Sequence, residues 1–218
     1  MQPPSILISL LLDEQAVQRR GARPSYSTLD VLRALLLIRR VGLVSRAAMS
    51  EELGIGEGSV RSLVRKLALM GLVQVIRSGC TLTKTGEEFL AALSEHVAGP
   101  VRLDLRGVWR YPHSVGVSVR NGARFVGSGL EERDEAVRHG AEAAMVLTYE
   151  TGRLLMPELE DLSTSYPDFS HRVNETMRPV DGDCIIIAGA STYGKAEAGA
   201  LGAGLKLLKR IWGPSLTR

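Results

Sequence analysis

Apolar positions recur at helical spacing through residues 58–76, GSVRSLVRKLALMGLVQVI. Val60, Leu63, Val64 and Leu67 share one face. Arg61, Ser62 and Arg65 fall on the opposite face, with Lys66 at its edge. A helix that lies in a major groove needs this division: an apolar stripe fastens it to the protein, and basic and hydroxyl groups point away. An ordinary amphipathic surface helix carries the same stripe, so the neighbouring elements decide. Gly71 stops the helix, and Leu72–Ile76 changes to the β-branched residues of a strand.

Upstream, the pattern predicts a helix over 5–19, whose Leu7, Leu10 and Leu11 form either a packing face or a dimer seam. Residues 21–27, GARPSYS, read as a connector. Thr28 is the expected N-cap of a helix to about Val41, with Leu29, Leu32, Leu35, Leu36 and Val41 as its buried stripe. Ser45 opens a short helix to about Leu53, and Gly54-Ile55-Gly56-Glu57 turns into the helix described first. Helix, short helix, glycine-containing turn and longer basic helix is the helix-turn-helix order. Two short strands, Leu72–Ile76 and Cys80–Leu82, then flank the basic turn Arg77-Ser78-Gly79, which predicts a β-hairpin able to lay Arg77 on a phosphate. A fourth helix runs to about His96.

Gly99-Pro100 marks the expected domain boundary. Beyond it, Val101–Trp109 reads as a strand. Val115, Val117 and Val119 alternate with small residues, and Arg120-Asn121-Gly122-Ala123 signals a turn back into Arg124–Val126, a second hairpin. A helix is expected at Glu131–His139, strands at Ala143–Tyr149 and Arg153–Met156, a loop over 157–170 and a short helix at Phe169–Met177. The run Cys184–Ala188 reads as a buried strand. Gly189-Ala190-Ser191-Thr192 leads into a last helix ending near Trp212, rich in small residues that suit tight packing on a sheet. The expected fold is α+β: an N-terminal helix-turn-helix domain with a hairpin over 1–98, and a C-terminal α/β domain with a mixed sheet over 99–218.

The 218 residues are an ordinary globular mixture, 44% hydrophobic and 23% charged, with a net charge of +3. The charge is uneven. Nine Lys/Arg against three Glu give residues 33–84 a balance of +6, whereas residues 101–218 carry fifteen of each sign. A basic segment joined to a neutral one suits a nucleic-acid module attached to something else. Cys80 and Cys184 are far apart and the four histidines form no ligand pair, so neither a disulfide framework, a metal site nor a cofactor is expected. Ile6–Leu12 is too short for a membrane span and lacks a basic leader, which leads to the expectation of a cytoplasmic protein without a membrane partner. Asn and Gln total six, and 22 of the 27 basic residues are Arg. Either a hot environment or a GC-rich genome accounts for that.

The phrase ALMGLVQVIRSG..LTKTGEEFL resembles the end of many winged helix-turn-helix repressors, where a GLV strand, a wing and an LT..G helix start follow the recognition helix. The likeness covers about residues 28–96. It implies groove-facing Ser59, Arg61, Ser62, Arg65 and Lys66 and wing contacts from Arg77 and Ser78; Ser45 and Lys84 complete the expected DNA-contacting set. Over most of the chain, ARPSYSTLDVLRALLLI, ERDEAVRHGAEAAMVLTYETGRLLMP and DGDCIIIAGASTYGKAEAGALGAGLKLL look like an archaeal family of winged-helix regulators whose C-terminal domain has no assigned activity.

Residues 189–196, GASTYGKA, nearly fit a phosphate loop between an apolar strand and a helix. Ala196 stands where the magnesium-holding hydroxyl belongs, and only 22 residues follow, too few to complete a nucleotide-hydrolysing sheet. What remains is an anion cradle at a helix N-terminus, formed by Gly189, Ser191, Thr192, Gly194 and Lys195, or a plain cap in which Ser191 or Thr192 closes the helix. No catalytic set assembles from the spacing. The leading expectation is a non-enzymatic transcriptional regulator. It binds double-stranded DNA as a homodimer on a pseudo-palindromic operator, and its C-terminal domain either senses a small molecule, an anion being one candidate, or mediates assembly. The alternatives are a C-terminal enzyme acting on a phosphorylated or carboxylated metabolite, and a winged helix that binds a protein partner.

Overall fold

A computed structural model describes residues 26–105 and 107–216. The helix expected at 5–19 and its leucine seam lie outside the described residues. The chain divides into two units, Met1–Leu93 and Ser94–Arg218.

The first unit opens with α1 (Thr28–Val41). Its cap is Ser27, one residue earlier than expected, because Ser27 and Asp30 form a reciprocal capping box that Thr28 is not placed to make. Val31, Leu32, Ala34, Leu35 and Ile38 are fully buried, whereas Val41, expected in the stripe, is exposed. Ser45 caps α2 (Arg46–Leu53) by accepting from the Ala48 N–H at 3.2 Å. In α3 (Glu57–Leu69) the buried residues are Val60, Leu63, Val64 and Leu67, as the periodicity predicts. The strands β1 (Val73–Ile76) and β2 (Gly79–Leu82) pair antiparallel around the two-residue turn Arg77-Ser78. Val44, between α1 and α2, pairs with Cys80 through N–H···O bonds of 3.1 and 2.9 Å and fastens the hairpin to the helices. Gly79 permits this approach: a Cβ there would sit 2.4 Å from the Val44 carbonyl oxygen. Helix α4 (Lys84–Ser94) follows.

The second unit is built on one six-stranded sheet. Its strands are β3 (Val97–Leu103), β4 (His113–Val119), β5 (Ala143–Glu150), β6 (Arg153–Met156), β7 (Glu160–Asp161) and β8 (Cys184–Ala190), in the order β3-β4-β8-β5-β6-β7. Every pairing is antiparallel, so the expected mixed sheet is corrected. A β-branched, fully buried run such as β8 signals a covered strand but says nothing of its direction. The expected boundary at 98/99 runs through β3, since Val97 and Ala98 already pair with Val119 and Ser118. Gly99-Pro100 is a cis step inside that strand, where its register shifts.

The hairpin expected at 115–126 does not form. Both edges of β4 are occupied, by β3 and β8. After Asn121 the chain enters a 3-10 turn at Ala123–Phe125, anchored by the Ala123 N–H on the Gly182 carbonyl at 2.9 Å. Helix α5 (Leu130–Arg138) lies before β5. The segment read as a loop over 157–170 holds β7, α6 (Leu162–Ser165) and the start of α7 (Pro167–Met177).

The sheet is covered on both faces. Phe169, Val173 and Met177 of α7 pack with Leu103, Leu147, Ile185 and Ile187 on one side. On the other lie α5 and α8 (Tyr193–Leu216). The small residues of α8 serve this packing, since Gly204 lies close over Val117. Asp183, 1% exposed, ties β4 to the start of β8 by accepting from the Ser118 hydroxyl at 3.0 Å and pairing with Arg120.

Candidate nucleic-acid interface

Basic side chains in the first unit fall into two groups that composition cannot separate. Arg33 is 6% exposed. Its guanidinium donates to the Leu53 carbonyl at 3.2 Å and the Glu52 carbonyl at 3.1 Å, closing the C-terminal end of α2. Arg40 pairs with Glu52 at 3.3 Å. These two arginines hold the helices together. Arg61 and Arg65 on α3, and Arg77 in the hairpin turn, are exposed and have no hydrogen-bond or ion-pair partner among the described residues.

The hydroxyls differ in what they can offer. Ser62 donates to the Gly58 carbonyl of its own helix at 3.1 Å, leaving lone pairs for an outside donor such as a base amino group. Ser45 accepts from the helix it caps and keeps its proton for an outside acceptor. Ser78 is exposed beside Arg77. Ser59 and Lys66 are half-buried and each is already engaged in a contact. Lys84 is highly exposed, with its ammonium 3.8 Å from Glu88. Two further exposed cations, Arg39 and Arg46, belong to the same unit. Their only sequence signal was the local charge balance.

The expected anion cradle in the second unit takes another form. Gly189 lies inside β8, and the rings of Trp109 and Tyr111 stand within 3.0 Å of where its Cβ would be. The Ser191 N–H donates to the Glu142 carboxylate at 2.9 Å, so a side chain of the protein occupies the place an anion would take. Hydrogen bonding by Ser191, with the charges of Lys195 and Arg110, holds Glu142 below the usual carboxylate range. The Thr192 hydroxyl accepts from the Lys195 N–H, which is the capping alternative. No group of three or more His, Cys, Asp or Glu among the described residues is arranged to hold a metal ion. No described helix is long and apolar enough to cross a membrane.

Fold and surface thus define an α+β chain with a small basic helical unit and an antiparallel sheet unit. Comparison with known proteins likewise gives two separate matches, which leave residues 89–111 outside both. Residues 28–88 match the family model described as "PH0730-like, N-terminal domain". Residues 112–207 match one described as "Domain of unknown function (DUF4443)". A solved structure, "Hypothetical protein PH0730 from Pyrococcus horikoshii OT3", an archaeal protein, is 29% identical with a TM-score of 0.69, over 88% of this chain and 96% of that one. No curated protein matches the chain.

Proposed function

We propose that the chain is a DNA-binding transcriptional regulator whose first unit is a winged helix-turn-helix, with α3 as the recognition helix and the β1–β2 hairpin as the wing. The observation that carries this reading is the placement of unpartnered arginines. Arg61 and Arg65 lie on the face of α3 opposite its buried stripe, and Arg77 lies at the hairpin tip. The Val44–Cys80 pairing supports the wing, because it gives the hairpin a third short strand from the start of the helix pair. Arginine forks suit guanine edges and phosphates alike. The second unit is the sensing or assembly module, and the regulator acts as a homodimer in which ligand and DNA bias each other's affinity.

Exposed Leu69, Val75 and Ile76, at the end of α3 and along β1, favour a second reading in which this surface meets a protein chain. A mobility-shift selection of genomic DNA fragments by the full-length protein separates the two. Retention of a common sequence supports the regulator; absence of any shift at low salt overturns it.

A further inference from the structure

Helix α5 is fastened by one face and bare on the other. Its buried residues are Glu132, Glu135 and Ala136. Glu135 takes the Lys206 ammonium of α8 at 2.9 Å, and Glu132 pairs with Arg210 of the same helix. The opposite face carries two apolar side chains open to solvent, Leu130 at 54% exposure and Val137 at 46%. Seven residues bring a helix back to within about 20° of its starting direction, so these two form one outward line. Arg133 lies about 50° to one side of that line and Asp134 about 50° to the other.

The charges on α5 fall into two sets. Glu131, Glu132, Glu135 and Arg138 are all held by partners within the unit. Arg133 and Asp134 are exposed, and their side chains have no hydrogen-bond or ion-pair partner among the described residues. Adjacent residues on a helix diverge, so these two do not satisfy each other. The face is therefore an apolar line flanked, at nearly the same height, by one open charge of each sign. A partner surface of a single sign would meet one flank and be repelled by the other. A second copy of the same face satisfies both.

We propose that this face joins two copies of the chain, with the two α5 helices side by side and pointing the same way. The contact rests on the homodimer reading above and gives it a surface and an orientation. A two-fold axis parallel to the helices sets Leu130 on Leu130 and Val137 on Val137. The same rotation exchanges left and right flanks, so Arg133 of each copy faces Asp134 of the other, twice. An antiparallel pair keeps each flank on its own side, which sets arginine against arginine and aspartate against aspartate. Charge thus selects the parallel arrangement. The stripe is two and a half turns long, less than a stable interface needs, so the dimer is weak and concentration-dependent.

The test is sedimentation velocity of the full-length protein without DNA, from micromolar to submillimolar concentration. Circular dichroism melts confirm that each variant is folded. A monomer–dimer equilibrium is expected, weakened about tenfold or more by Leu130→Glu. Arg133→Asp and Asp134→Arg each weaken it, because each sets like charges together, and the double reversal Arg133→Asp/Asp134→Arg restores it. Leu159→Glu, at an equally exposed apolar position away from α5, leaves it unchanged. A dimer indifferent to the α5 variants overturns this contact and leaves the homodimer reading standing. A monomer at every concentration overturns both. Weakening by the single reversals without recovery in the double, or equal weakening by Leu159→Glu, overturns the proposed pairing.

Discussion

Replacing Arg33 with leucine separates the basic residues that build the first unit from those that face outward. Two carbonyls at the end of α2 lose charged donors at 3.2 and 3.1 Å. Each such bond contributes about 1.5–3 kcal/mol. Leucine recovers much of the buried stem and avoids the cost of dehydrating a guanidinium, which offsets part of the loss. The net destabilisation is about 3 kcal/mol, or roughly 12–24 °C in Tm for a unit of this size. Circular dichroism melts of the wild type and Arg33→Leu measure it directly. Duplex affinity, taken well below the variant's Tm, keeps its salt dependence, because Arg33 has no surface from which to reach a phosphate. A Tm within a few degrees of wild type, together with a shallower salt dependence, refutes the assignment of Arg33 to the fold.

Gly79→Ala brings a Cβ to within 2.4 Å of the Val44 carbonyl oxygen and costs about 2 kcal/mol, measured by urea unfolding, because backbone on both sides must move. Glu135 gives the stability a pH dependence of known sign. Burial raises its pKa, but the Lys206 hydrogen bond at 2.9 Å and the charges of Lys206, Arg138 and His139 outweigh this and hold it below the usual carboxylate range. A depressed carboxylate stabilises the fold above its unfolded pKa and loses that contribution as pH falls through the folded one. Melts from neutral to acid pH therefore show a steeper acid loss in the wild type than in Glu135→Gln.

What the sequence revealed best was local. The stripe Val60-Leu63-Val64-Leu67 and the polar face at 61, 62 and 65 follow from helical periodicity, which fixes a face without knowledge of the partner. The ends of α2 were equally plain, because Ser45 and Gly54 are chemical punctuation. Long-range pairing was not legible. Val115, Val117 and Val119 predicted a strand, but only the tertiary fold selects β3 and β8 as its neighbours over the residues just beyond the turn. GASTYGKA promised an anion site because glycine and hydroxyl residues read alike in a cradle and in a capped helix. In the structure Glu142, 49 residues earlier, accepts from the Ser191 N–H, a contact that no local pattern signals.

The most direct measurement is the affinity of the full-length protein for a selected duplex across a salt series, compared among wild type, Arg65→Ala and Arg77→Ala. A cation that neutralises one phosphate accounts for a slope of about 0.9 in log K against log salt. Arg77→Ala should weaken binding to every sequence and flatten that slope by about this amount, and Arg65→Ala should also shift the preferred bases. Affinity, slope and base preference unchanged in both variants would contradict a groove-bound α3 flanked by a phosphate-contacting hairpin.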